Sequence, residues 1–261
     1  MKYCSFDDME INKIYNEDCL IGMQRIPDKS IDMILCDLPY ETTNNSWDSI
    51  IPFDKLWEQY ERVITNQGAI VLTANGSFTY KVISSNIELY KYKWIWLKNK
   101  ITNFVNAKNK PMTAFEEVLI FSKGVTANGS DKRMNYNPQG LVPFGQSVKQ
   151  GIDGKLVGKR PSHKERYLQE YTNYPNDVLK FDSERQGFHP TQKPVALFEY
   201  LIKTYTNKGD IVLDNCMGSG TTAVAALNTE RNYIGFETNK EYYEKSLERI
   251  KNNTTQLDLF E

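Results

Sequence analysis

What this chain of 261 residues lacks narrows its class. No apolar run approaches the roughly 20 residues that span a bilayer, so a membrane helix is not expected. The first residues, Met1-Lys2-Tyr3-Cys4-Ser5-Phe6-Asp7-Asp8, lack the charged-then-apolar order of a secretory leader. Only four cysteines occur, Cys4, Cys19, Cys36 and Cys216, and their spacing suits no metal site. Cys19 and Cys36 read as small apolar residues in or beside strands, which fits a reducing cytoplasm. There is no Gly-Lys-Ser/Thr sequence, so a phosphate-cradling P-loop is not expected. The dinucleotide spacing Gly-x-Gly-x-x-Gly is absent near the C-terminal glycines, and no internal repeat occurs.

What is present suits one α/β domain with an insertion, or two small domains. Hydrophobic residues make up 40% of the chain, enough for a large core. The net charge of −1 argues against a general polyanion binder, but the charge is unevenly placed. Residues 91–200 hold 18 Lys and Arg against 10 Asp and Glu, while the remainder holds 14 against 23. A basic middle in an acidic frame fits a segment facing DNA. The plainer alternative is a solvated, lysine-rich insertion.

Short apolar runs alternate with helical periodicity along most of the chain. Strands are expected at 11–15, 31–36, 69–73, 94–97, 117–122, 210–213 and 232–236. A helical turn is expected at 19–26, and helices at 53–63, 77–87, 195–205, 221–227 and 240–252. Gly68 reads as a break before the strand at 69–73, and the tail from 256 as loosely held. Alternating strands and helices predict a mostly parallel sheet with helices on both faces. The texture changes at 124–188, where Gly, Asn, Pro, Lys and Tyr dominate, as in an irregular insertion.

Two motifs carry the chemistry. The run at 210–213 leads into Asp214-Asn215-Cys216-Met217-Gly218-Ser219-Gly220-Thr221-Thr222 and then a helix of small residues. Strand, glycine turn and helix N-terminus make a site for a nucleotide-like ligand. A further strand ends in Glu237, a carboxylate suited to ribose hydroxyls. Near the N-terminus, the run at 31–36 ends in Asp37-Leu38-Pro39-Tyr40. A carboxylate and a backbone carbonyl there can each accept one hydrogen of a planar amine. That draws the nitrogen lone pair out of conjugation and makes it nucleophilic. Tyr40 offers a flat face for stacking, and Pro39 fixes the turn.

Together these motifs resemble the amino-methylating DNA methyltransferases, in the branch whose catalytic motif precedes its cofactor motif. The family forms are Asp/Asn/Ser-Pro-Pro-Tyr/Phe/Trp and Asp-Pro-Phe-x-Gly-Ser-Gly-Thr-Thr. Leu38, Asn215 and Cys216 depart from them. The segments at 103–123 and 174–181, and His189-Pro190-Thr191-Gln192-Lys193-Pro194, are also similar to family segments. The resemblance runs from about residue 11 to 250 and is weakest at 124–171.

The resemblance implies a methyltransferase Rossmann-like fold with a mostly parallel seven-stranded sheet. The catalytic half would be 1–123, a target-recognition insertion 124–188 and the cofactor half 189–261. It implies S-adenosyl-L-methionine as cofactor, held by Asp18, Lys193, Asp214, Cys216, Gly218, Ser219, Gly220, Thr221 and Glu237. Lys193 would meet the cofactor carboxylate, or else sit exposed at a helix start. Asp18 would face the adenine amine, cap the following turn, or do both. Thr191 and Gln192 would cap or hydrogen-bond nearby, and His189 would be structural. Asp37, Leu38, Pro39 and Tyr40 would be catalytic. Asp at the first position resembles the adenine N6 enzymes more than the cytosine N4 enzymes.

The expected partner is double-stranded or single-stranded DNA, with the target base extruded from a duplex. A homodimer is a further implication. The setting would be a prokaryotic or phage cytoplasm, with or without a companion restriction endonuclease. A cytosine N4 enzyme is the nearest rival, sharing fold, cofactor and mechanism. Protein glutamine methyltransferases carry their tetrapeptide after the cofactor motif, whereas Asp37 precedes Asp214 by 177 residues. Intact Asp37, Tyr40, Gly218 and Gly220 argue against a non-enzymatic DNA-binding module.

Overall fold

A computed structural model describes residues 9–40, 50–149, 166–183 and 192–258, with side chains as far as Thr255. Cys4, His189, Thr191 and the last three residues of the tail lie outside the described residues, as do 150–165 and 184–188 of the expected insertion. The chain divides into two compact units, residues 1–137 with 177–261, and Pro138–Asn176.

In the larger unit, β1 (Lys13–Tyr15), α1 (Cys19–Gly22), β2 (Ile31–Cys36), α2 (Phe53–Val63), β3 (Ile64–Ala74), α3 (Ser77–Ser85), β4 (Tyr90–Thr102) and β5 (Thr113–Phe121) follow in order. The smaller unit contains an antiparallel pair, β6 (Val142–Lys149) and β7 (Arg166–Thr172). The larger unit resumes with β8 (Val178–Lys180), α4 (Val195–Tyr205), β9 (Ile211–Asp214), α5 (Thr221–Asn228), β10 (Asn232–Phe236) and α6 (Lys240–Asp258). No helix among the described residues is long and apolar enough to cross a membrane.

The main sheet has the order β1-β10-β9-β2-β3-β5-β4-β8. It is mostly parallel, with β5 running against both β3 and β4. Among the described residues, eight strands therefore stand in this sheet where seven were expected. The addition is β8, three residues that pair with Ile95, Trp96 and Leu97 at the sheet edge. Helix α6 likewise outruns its expected end, remaining helical to Asp258.

The core follows the period of two along each strand. Met33 and Leu35 pack on one face with Ala69, Val71, Val118, Ile120 and Val212, under α4 and α5. Ile34 and Cys36 pack on the other with Ile70, Leu72, Leu119, Phe121 and Leu213, under α2 and α3. Both faces are covered, so β2 and β3 read as continuous apolar runs. The stripe predicted on α2 is the buried one, with Leu56, Trp57, Tyr60 and Val63 inside.

Pairing of β2 with β9, Met33 to Val212 and Ile34 to Leu213, joins the two halves of the larger unit. From this junction β3 lies to one side and β10 to the other. That reversal is the switch point at which ligands bind open α/β sheets, beyond the strand C-termini. Asp37 and Asp214 both lie at those termini.

Two glycines serve close approach. Gly68 does not break the chain, because β3 begins at Ile64 and runs through it. A Cβ at Gly68 would lie 2.7 Å from the Asp32 carbonyl oxygen, where the β2–β3 register shifts. At Gly22 a Cβ would lie 2.1 Å from the ring of Phe236, the fully buried residue before Glu237. Gly22→Ala must displace that ring, at an expected cost of about 1–3 kcal/mol. Chemical denaturation should show the loss, and an unchanged midpoint would mean that the ring moves freely.

Candidate functional site

The strand parity that builds the core also builds the site. On β2 the positions of Met33 and Leu35 continue to Asp37, and on β3 that of Val71 continues to Thr73. On β5, which runs the other way, those of Ile120 and Val118 lead back to Glu116. On β4 that of Trp96 leads on to Lys98. Four positions facing α4 thus turn polar at one edge of the sheet, and they meet. Asp37 Oδ1 accepts from the Tyr40 hydroxyl at 2.9 Å and from the Thr73 hydroxyl. Asp37 Oδ2 accepts from Lys193 Nζ at 2.7 Å. Lys193 lies two residues before α4 and also pairs with Glu116 Oε2 at 3.3 Å. Glu116 Oε1 accepts from Lys98 Nζ at 2.9 Å.

The result is an alternating row, Asp37, Lys193, Glu116, Lys98, with two charges of each sign. Lys193 is only 7% exposed, so it does not stand free at a helix start. Burial alone would lower its pKa, but Asp37 and Glu116 outweigh burial and hold it above the ordinary lysine value. Burial acts oppositely on Glu116, where Lys193 and Lys98 prevail and keep the carboxylate below its ordinary value. Both groups therefore remain charged at neutral pH. Asp37 makes three hydrogen bonds within the described residues, out of about four lone-pair directions. One direction on Oδ2 is left for an incoming donor.

The Tyr40 ring stacks on Phe78 with centroids 4.6 Å apart, and the Lys193 ammonium lies over it at 5.9 Å. Burial raises the Tyr40 pKa well above the ordinary tyrosine value, so the hydroxyl stays a donor. Leu38, at the departure from the family form, is buried in the core beneath α2 and α3. The departure thus replaces a proline with a packing residue and keeps the backbone carbonyl.

The second motif closes around its own carboxylates. Asp214 accepts from the Cys216 N–H at 3.0 Å and from the Thr222 hydroxyl. Glu237 Oε2 accepts from the Gly218 N–H at 2.8 Å, and its Oε1 from the Asn239 N–H at 2.7 Å. Arg249 of α6 donates to the Ser219 carbonyl at 3.0 Å and to the Thr221 hydroxyl at 2.9 Å. Asp18 caps α1 through Oδ1, on the N–H groups of Leu20 and Ile21. Asn215 accepts from the Tyr60 hydroxyl at 2.5 Å, and its amide donates toward the sulfurs of Cys19 and Cys216. Burial carries the Cys19 thiol to about 12 and raises Cys36 as well, so neither thiol is ionised at neutral pH.

One cleft of about 670 Å³ runs past both motifs. Every expected site residue lines it except Gly220. At Gly220 φ is +76°, and a Cβ would lie 3.1 Å from that of Ser246. Gly220 therefore starts α5 and lets α6 approach. Thr73, Glu116, Lys98 and Arg249 escaped the sequence reading. A lone threonine in the buried run of β3, and an acid opening the apolar run of β5, were the available signals.

The donor set fits an adenosyl-amino-acid ligand. The cleft volume lies in the range of small-molecule sites. The Glu237 carboxylate stands beside the glycine turn, where ribose hydroxyls can approach. The N-terminus of α5 opens on the same cleft. Lys193 donates one of its three N–H groups to Asp37 and forms an ion pair with Glu116, and its ammonium lines the cleft where a ligand carboxylate can meet it.

A family model described as DNA methylase matches residues 31–248. The chain is 29% identical to DNA adenine methyltransferase YhdJ of Escherichia coli strain K12, over 92% of this chain and 83% of that one. It is 32% identical to the orphan methyltransferase M.BamHII of Bacillus amyloliquefaciens, over 88% of this chain and 92% of that one. The crystal structure of the M1.HpyAVI–SAM complex superposes with a TM-score of 0.59 at 25% identity, covering 91% of this chain and 98% of that one.

Burial lifts the Asp214 carboxyl to about 6, despite the Thr222 hydroxyl and the Cys216 N–H. An acid whose pKa rises on folding binds its proton more tightly in the fold, so stability falls as pH rises through that interval. The penalty is absent below about pH 4 and complete above about pH 6, where it reaches roughly 3 kcal/mol. Asp214→Asn keeps an acceptor for Cys216 and removes the charge. It should therefore melt above wild type near pH 7.5 and lose that advantage near pH 4. A melting difference that does not change with pH would deny the carboxylate this role.

Proposed function

We propose, because the chain belongs to the DNA methylase family, that it transfers a methyl group from S-adenosylmethionine to the N6 amine of adenine in a short DNA sequence. The observation that carries this reading is the single cleft in which the Asp37 carboxylate and the glycine turn after β9 stand side by side. The adenine preference is supported by the name of the Escherichia coli relative and by Asp at the first position of the tetrapeptide.

The amine lies within the base pair of a duplex, so the target base is extruded into the cleft. There Asp37 Oδ2 accepts one amine hydrogen, and the carbonyl of Leu38 or Pro39 accepts the other. This favours a pyramidal nitrogen and stabilises the positive charge that develops on it. Lys193 holds Asp37 Oδ2 in place, and Thr73 and Tyr40 fix its other oxygen. Tyr40, backed by Phe78, stacks on the base.

Glu237 and the turn at Gly218 hold the ribose end of the cofactor, Asp18 faces its adenine, and Lys193 meets its carboxylate. When bound, the cofactor supplies a methyl group on a sulfonium. Asp214, Ser219 and Thr221 keep the turn in shape. The recognition surface is the segment at 124–188, whose basic side chains contact phosphates and whose polar ones read base edges.

The test is transfer from labelled cofactor to unmethylated genomic DNA, with mass analysis of the nucleosides. Methyladenine in one sequence context is expected. Methylcytosine at N4 would keep the mechanism and change the base, and label only in RNA or protein would refute the reading. Asp37→Ala should lower transfer by about a thousandfold while cofactor affinity, measured by titration calorimetry, changes little. Asp37→Asn, which preserves the shape of the site, guards against a folding effect. Full activity in both variants would remove Asp37 from the mechanism.

A further inference from the structure

The hairpin between β4 and β5 continues past the edge of the sheet at which Asp37 lies. Its roots line the cleft, since Lys98, Lys100, Thr102 and Glu116 are all wall residues. Its tip carries Phe104 at 78% exposure and Val105 at 94%, the latter almost wholly in solvent. These side chains have not been left outside by a loose loop. Asn103 takes a left-handed conformation with φ of 70°, and Phe104–Asn106 form a turn of 3-10 helix. The N–H groups of Asn106 and Ala107 donate to the carbonyls of Asn103 and Phe104, and those of Asn109 and Lys110 to Asn106. The Asn106 side chain donates to that of Asn103 at 2.7 Å. The tip is thus prefolded with its apolar side chains held outward.

Its charge states the partner. Between Lys98 and Glu116 no acidic residue occurs, while Lys100, Lys108 and Lys110 are exposed and enter no ion pair among the described residues. Six residues separate Lys98 from Phe104, about 20 Å if extended, so the tip stands within one duplex width of the cleft wall. Apolar side chains flanked by cations are the means by which DNA-bending proteins enter and unstack base steps.

We propose that the β4–β5 hairpin is a wedge for double-stranded DNA. Phe104 and Val105 enter the base stack beside the target, while Lys100, Lys108 and Lys110 contact the flanking phosphates. The wedge displaces the target base toward Asp37 and fills the gap that the base leaves. This rests on the proposed function and adds the element that opens the duplex.

The test compares wild type with the double variant Phe104→Ala, Val105→Ala, on a duplex bearing the sequence context found with genomic DNA. With 2-aminopurine as the target base, wild type should raise its fluorescence on binding and the variant should not. On paired DNA the variant should lose about tenfold or more in kcat/KM, and a mismatch at the target should restore it, because that base is already unstacked. Phe104→Leu, which keeps an apolar tip, should retain most activity. An undiminished fluorescence rise in the double variant, or equal losses on paired and mismatched DNA, would overturn the wedge alone. Conversion of a wild-type dimer to a monomer, with base extrusion intact, would make the tip a contact between two copies instead. Failure of the wild type to methylate any DNA would remove the proposed function, and the wedge with it.

Discussion

The site depends on one buried cation. Lys193 bridges Asp37, just after β2, and Glu116, within β5, although 156 residues separate it from Asp37. A lysine this deep is tolerated only between opposite charges, and removing one partner of such a pair typically costs 3–5 kcal/mol. The bridge therefore does more than supply attraction. It obliges the segment entering α4 to lie against the C-terminal edge of β2. That places the segment entering α4 beside the Asp37 carboxylate. Lys98 completes the row and leaves Glu116 balanced on both sides.

The sheet makes this meeting possible. Asp37 and Asp214, which head the two motifs, stand 177 residues apart in the chain. Pairing of β2 with β9 cancels the separation, because Ile34 lies directly beside Leu213. A site formed at this junction needs two strand ends in register and is indifferent to which strand comes first in the chain. The second compact unit lies between the two motifs in sequence, and its strands β6 and β7 pair only with each other, outside this sheet.

Much of this was legible from residues. The runs at 31–36 and 232–236 are strands to the residue, and 53–63 and 195–205 are helices to the residue, because apolar periodicity and turn chemistry agree there. Gly68 was misread, since a glycine that admits a neighbouring carbonyl looks in sequence like one that turns the chain. β8 was missed because three residues make no periodic pattern and are strand only through pairing with β4. Thr73, Glu116 and Lys98 were legible in principle. Each extends an alternating apolar series by one step of two, and the step turns polar at the same edge on four strands. What sequence could not reveal was which strands are neighbours, and hence that these steps converge. Arg249 left no local trace, because its partners are backbone and hydroxyl groups on another helix.

The three departures from the family motifs are physically consistent with one another. Leu38 fills the core where the usual residue is a proline, and the adjacent Pro39 still shapes the turn. Asn215 brings a polar side chain into a buried position, which is tolerable only if its hydrogen bonds are met. Tyr60 of α2 and the sulfurs of Cys19 and Cys216 meet them. Tyr60 belongs to the stripe that anchors α2, and its hydroxyl reaches across to the turn that follows β9. Replacing a stiff Pro-Phe pair with Asn-Cys thus trades backbone rigidity for a hydrogen-bonded link between α2 and the turn that follows β9. The same junction that Lys193 closes on the α4 face of the sheet is closed by Tyr60 and Asn215 on the α2 side. The cleft is held from both sides.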